Sequence, residues 1–86
     1  MKVNVLYFGA LREQLGDGEA MELPDGAAAH AVLSHAQGRS TGLETLWPSV
    51  AVAVNQQYAS RETCLQDGDE VALLPPVSGG LEMYAG

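Results

Sequence analysis

Cysteine, tryptophan and phenylalanine each occur once in 86 residues, and lysine and arginine together number only four. Each scarcity closes a route. The single cysteine, Cys64, excludes an internal disulfide. Four basic residues against eleven acidic ones leave a formal net charge of −7, which repels phosphate backbones and anionic lipid surfaces. Nucleic-acid and membrane partners are therefore not expected, and a basic surface on a partner protein is better suited. No apolar run approaches about 18 residues and no basic-then-apolar leader opens the sequence, so a cytoplasmic location is expected. Catalytic groupings are scarce too. His30 and His35 are five apart on a helix, about 140° around its axis, and do not converge on a metal. No Ser/His/Asp constellation is apparent. Asp67, Asp69 and Glu70 read as a turn, the loop being too short for an EF-hand. Cys64, beside Leu65 and without a basic cluster, reads as a small packed residue, not a sulfur relay.

What remains is an ordinary folding composition, 47% apolar and 17% charged. A chain of this length makes one small domain that buries roughly 60% of the surface it exposes when unfolded. Lys2 to Phe8 reads as a strand with Val3, Val5 and Tyr7 on one face and Leu6 and Phe8 on the other. Ala10 to Leu15 is a short helical segment stopped by Gly16, and Glu19 to Leu23 an edge strand. From Ala27 to about Gln37, Ala29, Val32, Leu33 and Ala36 recur at helical spacing, with Asp25 the nearest acceptor for an uncapped start. Leu43, Leu46 and Trp47 anchor a polar connection. Val50 to Val54 reads as a central apolar strand, and Asn55-Gln56-Gln57 turns it into a short return at Tyr58-Ala59. Ser60 to Gln66 is loop or a single helical turn. Asp67-Gly68-Asp69 turns the chain into a last strand, Glu70 to Leu74. The order predicts an α+β domain of the β-grasp, ubiquitin-like type: a mixed sheet of about five strands with one main helix on one face.

The segment after the last strand is unusual. Pro75 and Pro76 fix φ and lack amide donors, so they end the ladder and favour an extended exit. Val77 and Ser78 follow, then Gly79 and Gly80, which carry no Cβ and would let a narrow slot close around bare backbone. A body over residues 1–76 and a flexible tail over 77–86 are expected.

Phe8 to Gly16, Val54-Asn55-Gln56, Asp67 to Ala72 and Pro75-Pro76-Val77-Ser78-Gly79-Gly80 together resemble the small subunit of molybdopterin synthase, in the MoaD and ThiS group of sulfur carriers. The match runs over residues 2 to 80. The resemblance implies that the Gly80 carboxylate is adenylated by an E1-like, ATP-dependent activating enzyme and converted to a thiocarboxylate. A carboxylate becomes an electrophile only when its oxygen is made a leaving group, which adenylation does. The carrier would then donate sulfur to a pterin precursor in the large synthase subunit, its partner in a heterotetramer, as a non-catalytic subunit without a tightly bound cofactor. The resemblance places partner docking on Phe8, Tyr58 and Leu74, with Arg12 able to pair with a partner acid; Tyr58 and Leu74 packing on each other, and a solvated Arg12, are the alternatives.

The family pattern stops at the diglycine, and this sequence continues with Leu81-Glu82-Met83-Tyr84-Ala85-Gly86. Gly80 then carries an amide and cannot be adenylated until that bond is cut. Three accounts stand: maturation by a tail-processing protease, a coding extension that leaves this form inactive, and a tail that works uncut. Rival functions are a carrier for thiamine or sulfur-amino-acid synthesis and a ubiquitin-like binding module that carries no sulfur.

Overall fold

The computed structural model describes residues 1–76; the expected tail, with Val77, Ser78, Gly79 and Gly80, lies outside the described residues. Five strands form one mixed sheet in the order β2-β1-β5-β3-β4. These are β1 (Lys2–Tyr7), β2 (Gly18–Glu22), β3 (Ala51–Val54), β4 (Gln57–Ala59) and β5 (Glu70–Leu74). β1 and β5 run parallel, and the other neighbours are antiparallel. A parallel pair needs a crossover, and the long connection between β1 and β5 supplies it with the main helix, α2 (Ala29–Gln37). The β-grasp expectation holds.

Strand parity sets the two faces. Val3, Val5 and Tyr7 of β1 are buried, as are Val71 and Leu73 of β5, and they meet Ala29, Val32, Leu33 and Ala36 of α2 in one core. Leu11, on the short helix α1 (Gly9–Leu15), and Trp47 close its ends. Leu43 packs against this core as anticipated.

Several boundaries shift by a residue or two, β2 among them (Gly18–Glu22 where Glu19 to Leu23 is expected), and four departures have a clear physical reason. β1 stops at Tyr7, because Gly9 takes a left-handed φ of 56° and turns the chain, leaving Phe8 as the extended residue before α1. α2 begins at Ala29, two residues late. Its first amides find neither Asp25 nor any side-chain cap; Ala29 N–H donates to the Thr63 carbonyl and His30 N–H to that of Arg61, each at 2.9 Å. Loop 60–66 thus caps the helix through its backbone, helped by a bridge between Ala28 and Cys64. Third, Val50 ends a 3₁₀ turn (Trp47–Ser49), so β3 starts at Ala51, and the central strand is β5, with β3 one place from the edge. Fourth, Cys64 is exposed and not packed, because its backbone, not its thiol, makes the contact with α2.

The acidic turn acts as a clasp. Asp67 accepts from the Lys2 amide at 2.8 Å, Asp69 from the Gln66 amide at 2.8 Å and from the Asn55 side chain at 3.0 Å, and Asn55 accepts from the Glu70 amide. Three strand ends are tied there by short polar side chains, which satisfies backbone groups the ladders leave open.

Candidate functional site

Where β5 runs out, its outward residues meet the ends of β1 and the β3–β4 hairpin. Register carries one apolar row across the outer face: Leu6 lies opposite Ala72, Ala72 opposite Ala53, and Ala53 opposite Tyr58. The next row sets Leu74 opposite Ala51. Ala53 and Ala72 are each 8% exposed yet lie outside the helix-side core, so this face is flat and apolar at its centre. Phe8 and Tyr58 stand over it, 42% and 80% exposed.

The hairpin that positions Tyr58 is tight. Asn55 and Gln56 both take positive φ, 51° and 71°, in the two-residue turn whose twist suits paired strands. Asn tolerates this conformation better than most residues, and Gln does so less readily. Its consequence is a short β4 at the sheet edge with Tyr58 turned outward.

Phe8, Gly9, Ala10, Leu46, Ser49, Ala51, Tyr58, Leu74, Pro75 and Pro76 line one open concavity of about 720 Å³. Gly9 meets Pro75 closely. A Cβ on Gly9 would stand 3.0 Å from Pro75 Cγ, so the glycine both makes the turn and lets the proline seat. The chain therefore leaves β5 along the wall of the groove, with Pro75 half-buried and Pro76 exposed. Phe8, Tyr58 and Leu74, which the resemblance groups as a docking surface, share this lining with Pro75 and Pro76. Tyr58 is too exposed for mutual packing with Leu74 to be its main role.

Arg12 is not in the groove lining. Its Nε lies 2.5 Å from Asp17 Oδ1, both side chains being exposed, so its observed partner belongs to its own chain. Surface pairs of this kind contribute little to stability. His30 and His35 are exposed on α2, and among the described residues no group of three or more His, Cys, Asp or Glu is placed to hold a metal.

Two polar features escaped the sequence reading. Tyr7 points into the core, yet its hydroxyl donates to Glu19 Oε2 at 2.5 Å, and Arg39, just past α2, pairs with the same carboxylate. Burial, then the hydrogen bond and charge of Glu19, push the Tyr7 hydroxyl well above its ordinary pKa. Burial works against ionisation of Glu19, but hydrogen bonds from Tyr7 and Arg39 and the charges of Arg39 and His35 outweigh it and hold the carboxyl below its usual range. Parity held the signal: Glu19 sits opposite Val5, on the core-facing side that Tyr7 shares. The second is Arg61, whose guanidinium donates to the carbonyls of Trp47 and Val50 at 2.7 and 2.8 Å. It pins the connection that carries Leu46 and Ser49 to the groove. Nothing local in the sequence marks that role.

The strand order and the crossing helix define the β-grasp, ubiquitin-like fold class. Comparison places it further. The ThiS family model matches residues 5–80, and the chain belongs to that family. It is 42% identical over 82 residues to the molybdopterin synthase sulfur carrier subunit of Mycobacterium tuberculosis, covering 93% of this chain and 99% of that protein. Among solved structures it resembles the putative molybdopterin converting factor subunit 1 of Pyrococcus furiosus, with TM-score 0.77, 34% identity, and 90% and 99% of the two chains covered. It also resembles a chain in the complex of subunits 1 and 2 of the molybdopterin-converting factor of Helicobacter pylori, with TM-score 0.66, 28% identity, and 90% and 96% covered.

Proposed function

We propose that this protein is the sulfur carrier subunit of a molybdopterin synthase, acting through Gly80. The observation that carries the reading is the near-full-length likeness to relatives of that name, with the family match ending at the diglycine. After the bond from Gly80 to Leu81 is hydrolysed, the freed carboxylate attacks the α-phosphorus of ATP on the activating enzyme and pyrophosphate leaves. Hydrosulfide-level sulfur then attacks the acyl carbon and displaces AMP, leaving a thiocarboxylate with no change of oxidation state. No side chain of this protein needs to do chemistry. The body contributes placement: the groove seats the large subunit beside the point where the chain departs, and tethering keeps a water-sensitive sulfur at high local concentration in the partner's site.

Pairing with the large subunit is supported by the Helicobacter pylori complex, in which a similar chain is bound to subunit 2 of its converting factor. Phe8, Tyr58 and Leu74 are the contacts we assign to it. Because Phe8 and Tyr58 are exposed, Phe8→Asp and Tyr58→Asp should leave the melting temperature unchanged while weakening binding of the large subunit by about 30-fold or more. Intact mass of protein from its native cells tests the chemistry. A form ending at Gly80, with one oxygen replaced by sulfur in a fraction, and conversion of the pterin precursor by the reconstituted pair are expected. A correctly truncated, thiocarboxylated chain that fails this conversion refutes the reading in favour of thiamine or sulfur-amino-acid synthesis.

A further inference from the structure

The segment that brings Leu46 and Ser49 to the groove belongs to no strand, and its own backbone bonds are all local. The Leu46 amide donates to the Leu43 carbonyl, that of Ser49 to Leu46 and that of Val50 to Trp47, each three residues back. Such bonds shape a turn without tying it to the rest of the fold. Trp47 is buried and Leu43 packs on the core, but of the two residues on the groove side Leu46 is half-buried and Ser49 exposed. The segment is also thin. Trp47 and Pro48 line a second hollow of about 470 Å³ with Gln37, Glu44 and Arg61, so Leu46 to Ser49 form a partition between two concavities.

Arg61 stands in the second hollow and lies outside the groove lining. Its Nη2 donates to the carbonyls of Trp47 and Val50 at 2.7 and 2.8 Å, and among the described residues these are the only hydrogen bonds that reach residues 43–50 from outside that segment. Lys2, Arg12 and Arg39 pair with carboxylates, whereas Arg61 has no acid partner among the described residues and spends its charge on these carbonyls. Charge-assisted bonds of this kind are roughly twice as strong as neutral ones. The Arg61 carbonyl also accepts from the His30 amide, so one residue joins the start of α2 to the partition.

We propose that Arg61 is a positioning residue for partner docking: through the carbonyls of Trp47 and Val50 it holds Leu46 and Ser49 where the large subunit meets them. A wall already in place spares the partner the entropy of ordering it. Without the guanidinium, a partition in its docking position about one-fifth of the time would weaken apparent affinity about fivefold. The docking consequence rests on the reading that the groove seats the large subunit; the hold on the partition does not.

The test titrates the large subunit into the full chain and its Arg61→Ala, Leu46→Ala and Arg61→Ala/Leu46→Ala variants, well below their melting transitions. Arg61→Ala should bind about fivefold more weakly, yet alter affinity by less than about twofold once Leu46 is already alanine, because the side chain it positions is gone. A full fivefold loss in both backgrounds would overturn the proposal, since Arg61 would then meet the partner directly. Tyr7→Phe, which weakens the core elsewhere, should bind as the parent does; a loss equal to that of Arg61→Ala would reduce the effect to general stability and overturn it too. In the free protein, methyl order parameters at Leu46 should fall in Arg61→Ala, and unchanged values would refute the hold on the partition. If the parent chain does not bind the large subunit, the reading of the groove fails while the Leu46 order parameters still decide what Arg61 does.

Discussion

Gly9→Ala separates the backbone requirement of the groove from its surface chemistry. Gly9 has φ 56°, a left-handed conformation that costs a residue with a Cβ about 1–2 kcal/mol. Its added methyl would also stand 3.0 Å from Pro75 Cγ, closer than relaxed carbon contact, so the proline ring must yield by a few tenths of an ångström. Gly42→Ala is the control, since φ is also positive there, at 78°, and no atom lies within 4 Å of the added Cβ. Both variants should lose about 1–2 kcal/mol in urea denaturation at unchanged m-value. For a domain of this size that is a fall in melting temperature of roughly 5–15 °C. Below the transition only Gly9→Ala moves Pro75 and should weaken the large subunit, by about three- to tenfold, a net loss near 1 kcal/mol. Equal partner affinity for the two variants would refute the claim that Gly9 seats the exit. A Gly9→Ala chain as stable as the parent would refute the backbone argument itself.

The Tyr7–Glu19–Arg39 cluster predicts loss of stability at both ends of the pH scale. Tyr7 stays protonated in the fold above the pH at which it ionises when unfolded, so its contribution is complete below about pH 10 and declines above it, by up to about 1.4 kcal/mol per pH unit. Glu19 has a depressed folded-state pKa, so its contribution is present above the ordinary carboxylate range and is lost as pH falls through and below that range. Tyr7→Phe should cost about 1.5–3 kcal/mol at pH 7 and flatten the alkaline decline; denaturation curves at pH 7, 10 and 11 check this. Arg61→Ala, which removes the side-chain donor to the Val50 carbonyl and leaves that of Trp47 with the Val50 amide alone, should cost about 1–2 kcal/mol and speed amide exchange at Ser49 and Val50, measured by hydrogen exchange.

The sequence carried its long-period information plainly. Alternation in Lys2 to Tyr7 and Glu70 to Leu74 assigned each residue to a face, because strand side chains have a period of two and only one face meets a helix. The spacing of Ala29, Val32, Leu33 and Ala36 marked the helix for the same reason at 3.6. The Pro-Pro and Gly-Gly dipeptides spoke through intrinsic backbone limits, independent of any partner. By itself, then, the chain determined its elements and its faces.

Tertiary structure decided what no local pattern encodes. The start of α2 was set by carbonyls of Arg61 and Thr63, about thirty residues away in sequence, and the burial of the Tyr7 hydroxyl was made tolerable by Glu19 and Arg39 from two other segments. The groove likewise exists only because β1, the β3–β4 hairpin and β5 end at one place. Propensity acts between near neighbours along the chain, whereas capping, charge compensation and a shared surface are made by groups that only folding brings within reach.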